Sequence, residues 1–347
     1  MYLKKSSWLL WLACGCIFLL VSVVVGISVG SLSIPFHSSM NVLWTAVWPK
    51  EMPADISPTH AAIILDIRLP RVLLAALVGA SLALAGAAFQ GLLKNPLADP
   101  YTLGVSSGSA LGAVIVLFFG LSLPLLGSFT LPVISIFSGF LTLLGLLGFV
   151  RFIEKTLSTE TIILAGIIVS SFLGSLISLV IALTGDELRQ IISWLMGSVS
   201  MRGWDYIWLI LPFFIVGAVL LFANRKELNA LVFGEETAKT LGVDTDKRRI
   251  IILAGASLLT GAAVSVSGTI GFVGLVVPHL VRLLVGPNHQ LLLPMSMFAG
   301  SGFLVLTDLA ARTIIAPTEL PIGVITAVIG APVFGMLLFQ QRRTKTR

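Results

Sequence analysis

The chain has 347 residues, 56% hydrophobic and only 11% charged, with a mean hydropathy of +1.03. A hydrocarbon core of about 30 Å takes roughly 20 apolar residues per helix, so the many continuous apolar runs read as a polytopic helical protein and exclude a transmembrane β-barrel, whose strands alternate. The net charge of +6 follows from Lys and Arg held in cytoplasmic loops and calls for no nucleic-acid partner.

Ten spans are predicted, at roughly 9–30, 72–92, 103–121, 126–150, 161–184, 206–223, 250–267, 270–285, 292–312 and 322–340. The first is too long for a signal peptide and lacks a small-residue cleavage site, so it reads as a retained helix. It carries Cys14 and Cys16, whose Cys-x-Cys spacing has no partner pair and so implies neither a metal site nor a disulfide framework. With the N-terminus inside, the inner segments hold sixteen of the twenty-two basic residues, among them Lys4, Lys5, Lys94, Arg151, Lys155 and Arg282. Lys50, Arg68, Arg71, Arg189, Arg202 and Arg312 fall outside. This bias puts both termini in the cytoplasm.

Small residues recur three or four apart in the spans: Gly79, Ala83, Gly86, Ala87 and Gly91; Gly104, Gly108 and Gly112; Gly268, Gly271 and Gly274. Such stripes let helix backbones approach closely, either as plain packing or along a path or seam that slides. Pro70, Pro96, Pro100, Pro278 and Pro332 interrupt or border spans, which at membrane depth requires cover by protein or a wet cavity. After the fifth span, 186–196 reads as a short amphipathic helix, with Leu188, Ile191, Ile192 and Leu195 opposite Arg189 and Gln190, lying along the outer surface.

Residues 224–249 form an aqueous island between apolar runs, with six basic and five acidic side chains. Within it Leu228, Leu231, Val232, Ala238 and Leu241 fall at near-helical spacing, a face suited to docking on another protein. No carboxylate lies near the middle of a span, which argues against an ion-coupled carrier. No Gly-x-x-x-x-Gly-Lys-Ser/Thr occurs, so the chain has no P-loop for ATP. A transporter with a polar docking island and no energy source of its own points to a separate motor. Asp308 and Arg312, four apart, read as an intrahelical ion pair. Arg68 and Arg71 either snorkel or offer bidentate donors to an outside partner. His279, beside Arg282, has no second His or Cys nearby and reads as structural rather than metal-binding.

Several longer stretches, in order, resemble the FecCD-type permeases of ABC importers for ferric siderophores, haem and vitamin B12. They are Ile67-Arg-Leu-Pro-Arg-Val, Gly86-Ala-Ala-Phe-Gln-Gly, Asn95-Pro-Leu-Ala-Asp-Pro-Tyr-Thr-Leu-Gly-Val-Ser-Ser-Gly, Gly268-Thr-Ile-Gly-Phe-Val-Gly and Glu319-Leu-Pro-Ile-Gly-Val. The resemblance runs from about Asp66 to Leu338. It implies an all-α polytopic membrane protein of ten transmembrane helices, a type II ABC importer permease. The whole chain, 1–347, is then one permease domain containing a cytoplasmic coupling loop at 224–249. The implied partners are cytoplasmic ATPase subunits, an extracytoplasmic substrate-binding protein and a second permease subunit, identical or a paralogue, in a bacterial cytoplasmic membrane. No cofactor, metal site or catalytic residue is implied, and ATP hydrolysis belongs to the separate ATPase.

Residue by residue, Glu236-Thr-Ala-Lys-Thr-Leu-Gly242 resembles the importer coupling pattern Glu-Ala-Ala-x-x-x-Gly, with Thr237 in place of the first Ala. That assigns ATPase coupling to Glu235, Glu236, Ala238, Leu241 and Gly242. Arg68, Arg71 and Arg312 match arginines that grip acidic residues of the binding protein. Ser158, Thr159, Glu160 and Thr161 match the inner gate. The implied cargo is a ferric siderophore, with haem or cobalamin as alternatives; a stand-alone secondary carrier is the reading from a different class.

Overall fold

The computed structural model describes residues 5–30, 32, 34–48, 57–154 and 157–345. Lys4, Lys50, Lys155 and Arg347 of the charge count lie outside these described residues. Among the described residues every regular element is helical. In chain order they are α1 (Lys5–Ser28), α2 (Phe36–Val47), α3 (Pro58–Leu92), α4 (Val105–Phe118), α5 (Thr130–Ile153), α6 (Thr159–Leu183) and α7 (Leu188–Leu195). There follow α8 (Trp204–Ala223), α9 (Arg225–Val232), α10 (Glu235–Thr240), α11 (Thr245–Ser267), α12 (Val273–Val285), α13 (His289–Thr313) and α14 (Ile322–Lys345).

Seven helices among the described residues are long and apolar enough to cross a membrane, and the shorter apolar helices are Val105–Phe118, Val273–Val285 and Ile322–Leu337. Each falls on one of the predicted spans. The short α7 is also present, with Ile191 and Trp194 buried.

Two elements differ from the sequence reading. Helix α2 lies in what reads as a loop, its Val42 and Ser39 buried and its Phe36 and Trp44 exposed, as is Trp48 just after it. Helix α3 starts at Pro58 rather than near 72, because Ser57 caps it by accepting the Thr59 N–H at 3.2 Å and Pro58 sits in its first turn. A π-turn over Ile63–Arg68 then widens the helix just before Pro70. Proline has no N–H and its ring crowds the preceding turn's carbonyl, so one extra residue lets the helix pass it.

The centre of the fold is α3 and α11, 83% and 78% buried over their apolar windows. Close backbone contact explains the stripe on α3. A Cβ at Gly79 would lie 2.2 Å from the Gly300 carbonyl oxygen of α13, and one at Gly86 only 1.8 Å from that of Gly274 in α12. These glycines are packing surfaces between central helices. Helices α1, α5, α6 and α8 surround the centre and leave most of their surface uncovered, α6 being only 17% buried.

Candidate functional site

The π-turn and the following turn of α3 bring Arg68 and Arg71 to the end of α13 that carries Asp308 and Arg312. Arg71 donates from Nε and Nη2 to Asp308 at 3.0 and 2.9 Å, and from Nη1 and Nη2 to Glu319 at 2.7 and 3.0 Å. Its Nη1 also reaches Ser200 Oγ at 3.3 Å. Arg68 donates to the carbonyls of Ile27 and Ser28 at 3.0 and 3.1 Å, and to that of Leu32. Arg312 donates to the Gly26 carbonyl and stands 3.7 Å from Asp308.

The structure thus gathers Arg68, Arg71 and Arg312 at one end of the bundle. It does so inside the protein, at 4%, 8% and 4% exposure. Asp308 serves Arg71 as well as its helix neighbour Arg312, a pairing invisible in the (i, i+4) pattern. Glu319, outside the apolar helices, keeps part of its surface. The hydrogen bond from Arg71 holds its carboxyl below the ordinary carboxylate range.

The opposite end holds the island and the segment 157–161. The island is two short helices and the first turns of α11. Leu228, Leu231 and Ala238 are buried, so they seat α9 and α10 on the bundle and do not form an outward face. The apolar groups that do point out are Val232, Phe233 and Leu241, with Phe233 75% exposed. Glu236 and Lys239 flank them as an exposed pair 3.6 Å apart. Of the other coupling residues, Glu235 pairs with the buried Arg249. Gly242 ends the α10 turn at φ +80°, in the left-handed region where a side chain is strained.

Asn229 fastens the island to the bundle. Its Oδ1 accepts the backbone N–H and the Nδ1–H of His289 at 2.9 and 2.8 Å, and its Nδ2 donates to Asn288 Oδ1 at 2.9 Å. The sequence gives no sign of this latch, since its partners are some sixty positions apart.

At the predicted gate, Ser158 caps α6 by accepting the Thr161 N–H at 3.2 Å. Both hydroxyls, Ser158 Oγ and Thr161 Oγ1, donate to Glu154 Oε2 at 2.7 Å. Those two bonds, Thr161 first, pull the Glu154 carboxyl below its usual range. Glu160 is exposed in the first turn of α6. Sequence reasoning noted Glu160 and passed over Glu154, although Glu154, Ser158 and Thr161 are four and three apart and their spacing marks a cap.

Among the described residues no group of three His, Cys, Asp or Glu side chains could hold a metal ion. Cys14 and Cys16 are free and exposed, and His279 is buried.

A helical bundle with this many apolar helices, ionic clusters at its ends and a polar island on one side has the make-up of a multi-pass membrane protein. The sequence matches the FecCD transport family over residues 18–340. It is 57% identical over 94% of its length to an uncharacterised ABC transporter permease protein of Bacillus subtilis, YvrB, covering 92% of that protein. It is 42% identical to the cobalamin import system permease protein BtuC of Halobacterium salinarum, covering 85% of this chain and 78% of that one. An ABC transporter solved in an inward-facing conformation superposes with a TM-score of 0.81 at 36% identity, over 95% of this chain and 98% of that one. The chain belongs to the FecCD family: it is an ABC importer permease of the inner membrane with a BtuC-like fold.

Proposed function

We propose that the chain is the membrane subunit of an importer that carries a bulky metal chelate inward, a ferric siderophore in the first reading. ATP is hydrolysed on separate cytoplasmic subunits. The observation that carries the assignment as a membrane subunit driven by a separate ATPase is the exposed Val232–Phe233–Leu241 patch flanked by Glu236 and Lys239, on an island locked to the bundle of a FecCD-family permease. An apolar knob ringed by charge, on short helices with buried anchors, fits docking to a folded protein. In this form the ATPase meets Phe233, Leu241 and Glu236, while Glu235, Ala238 and Gly242 hold the shape.

All ten apolar helices cross the membrane in this proposal, with both termini in the cytoplasm. A binding protein docks at the end where Arg68, Arg71 and Arg312 gather, and an acidic side chain of its lobe exchanges with the part-exposed Glu319 on Arg71. Cargo leaves through the 158–161 segment. Cobalamin is the second reading, favoured by the 42% identity to a cobalamin import permease.

Growth of a deletion strain on single iron sources, with haem and cobalamin as separate arms, discriminates the cargoes. Loss of growth on ferric siderophore alone supports the first reading, and loss of cobalamin-dependent growth alone replaces it with the second. Replacing Phe233 and Leu241 by Ala is expected to abolish co-purification of the ATPase with the tagged permease. Undiminished co-purification moves the docking site elsewhere.

A further inference from the structure

Arg249 lies in the second turn of α11 and is one of the largest fully buried side chains in the protein, at 2% exposure. Its two terminal nitrogens go to different elements. Nη2 pairs with Glu235, the first residue of α10, and Nη1 donates to the carbonyl of Leu157. Leu157 is itself buried and directly precedes Ser158, the residue that caps α6. The cap is in turn closed by Glu154, which takes both the Ser158 and Thr161 hydroxyls. An uninterrupted set of polar contacts therefore runs from α10 through one guanidinium to the start of α6.

We propose that Arg249 is the positioning residue that ties the ATPase-docking helix α10 to the gate at the start of α6. This rests on the reading of the island as the ATPase-docking element and of 158–161 as the gate. The guanidinium is a rigid planar fork, so its two bonded directions are fixed relative to each other. If α10 shifts against α11, Glu235 must drag the fork or release it. Release leaves the buried cation with only Asp246, a half-exposed carboxylate 3.9 Å away on its own helix, which is disfavoured, so the fork follows and its other arm pulls on the Leu157 carbonyl. In charge counting Arg249 only marks the inner side; its burial and its two partners give it a task that a topology signal does not need.

The test uses the full chain co-purified with its ATPase in proteoliposomes. Cys14 and Cys16, the free cysteines, are replaced by Ser, and a reporter cysteine replaces the exposed Glu160. Maleimide labelling of the reporter is compared without nucleotide and after trapping with ATP and vanadate. In the Arg249→Met and Glu235→Gln variants, trapping is expected to change labelling at least roughly fivefold less than with Arg249 and Glu235 intact, the scale of a lost coupling between sites. The amount of bound ATPase is expected to stay the same in Arg249→Met, and Glu235→Gln is compared at equal bound ATPase. Glu235 is the more exposed partner, so Glu235→Gln keeps the test open if Arg249→Met does not fold. Arg249→Lys keeps the charge and loses the fork, and it is expected to behave as Arg249→Met does. A full response in Arg249→Met, a full rescue by Lys, or loss of response in step with loss of bound ATPase each overturns the bridge. Absence of any response with Arg249 and Glu235 intact overturns the reading of 158–161 as the gate, and so the two failures are told apart.

Discussion

At the scale of single residues, Asp308 carries more than its neighbours. Its carboxylate is 1% exposed and faces Arg71 at 2.9 Å and Arg312 at 3.7 Å. Breaking a buried ion pair by removing one partner leaves the other charge uncompensated and costs about 3 kcal/mol or more. Asp308→Asn is therefore expected to lower the thermal unfolding temperature of the detergent-purified protein sharply. Glu319→Gln removes a carboxylate whose side chain is 35% exposed, and solvent screening limits its cost to less than about 1 kcal/mol. Equal losses in the two variants would rule out this division. The pH dependence has a definite sign. The folded state holds Glu319 below the ordinary carboxylate range through its bond from Arg71. Its contribution is thus fully present above the unfolded value of about 4.3 and disappears as pH falls through the depressed folded value. Stability measured downward from neutral pH is expected to stay level until the acid range, with a shallower acid fall in Glu319→Gln.

At the scale of elements, helix contacts are decided by which glycines face backbone. Gly86 of α3 leaves no room for even one carbon beside the Gly274 carbonyl, whereas a Cβ at Gly145 of α5 would meet nothing within 4 Å. Gly86→Ala must therefore push α12 away and is expected to cost about 1–3 kcal/mol, as overpacking does. Gly145→Ala is expected to change stability by less than about 0.5 kcal/mol; thermal unfolding of the two variants checks both. The same comparison explains what was legible beforehand. Among the described residues, hydropathy located the seven long apolar helices and the three shorter ones, because lipid demands apolarity from each segment independently of its neighbours. It did not show which glycine stripes are buried in the centre, because Gly79 and Gly145 read alike until their partners are known. Helix α2 stayed hidden because it is amphipathic and only twelve residues long, and the true start of α3 because Pro70 reads as a helix breaker until the π-turn is seen. In the island, spacing found helical periodicity but not its direction. Leu228 and Ala238 turn inward, and Phe233, at the end of α9, carries the exposed surface.

At the scale of the whole molecule, the long helices are unevenly buried. Helix α3 is covered on nearly all sides, while α6 keeps Ser171, Ser175 and Ser178 exposed along a surface that is otherwise apolar. Ser175 and Ser178 satisfy their hydroxyls on carbonyls of their own helix, at 2.9 and 3.0 Å. Small hydroxyl residues on one stripe of a spanning helix favour a close neighbouring helix or a wet path over lipid chains. We propose that a second permease subunit meets its counterpart around α6, an arrangement that would supply both. In a Cys14→Ser and Cys16→Ser background, Ser175→Cys is expected to form an oxidised species of twice the 36.9 kDa chain mass in native membranes. Trp208→Cys, on the exposed surface of α8, is expected to stay monomeric under the same oxidant. A crosslinked product of some other mass, containing a different permease chain, would make the assembly a heterodimer with the same face in contact. Crosslinking at 208 with none at 175 would place the subunit contact on α8 and leave the serines of α6 facing lipid, with Ser175 and Ser178 satisfied by their own helix.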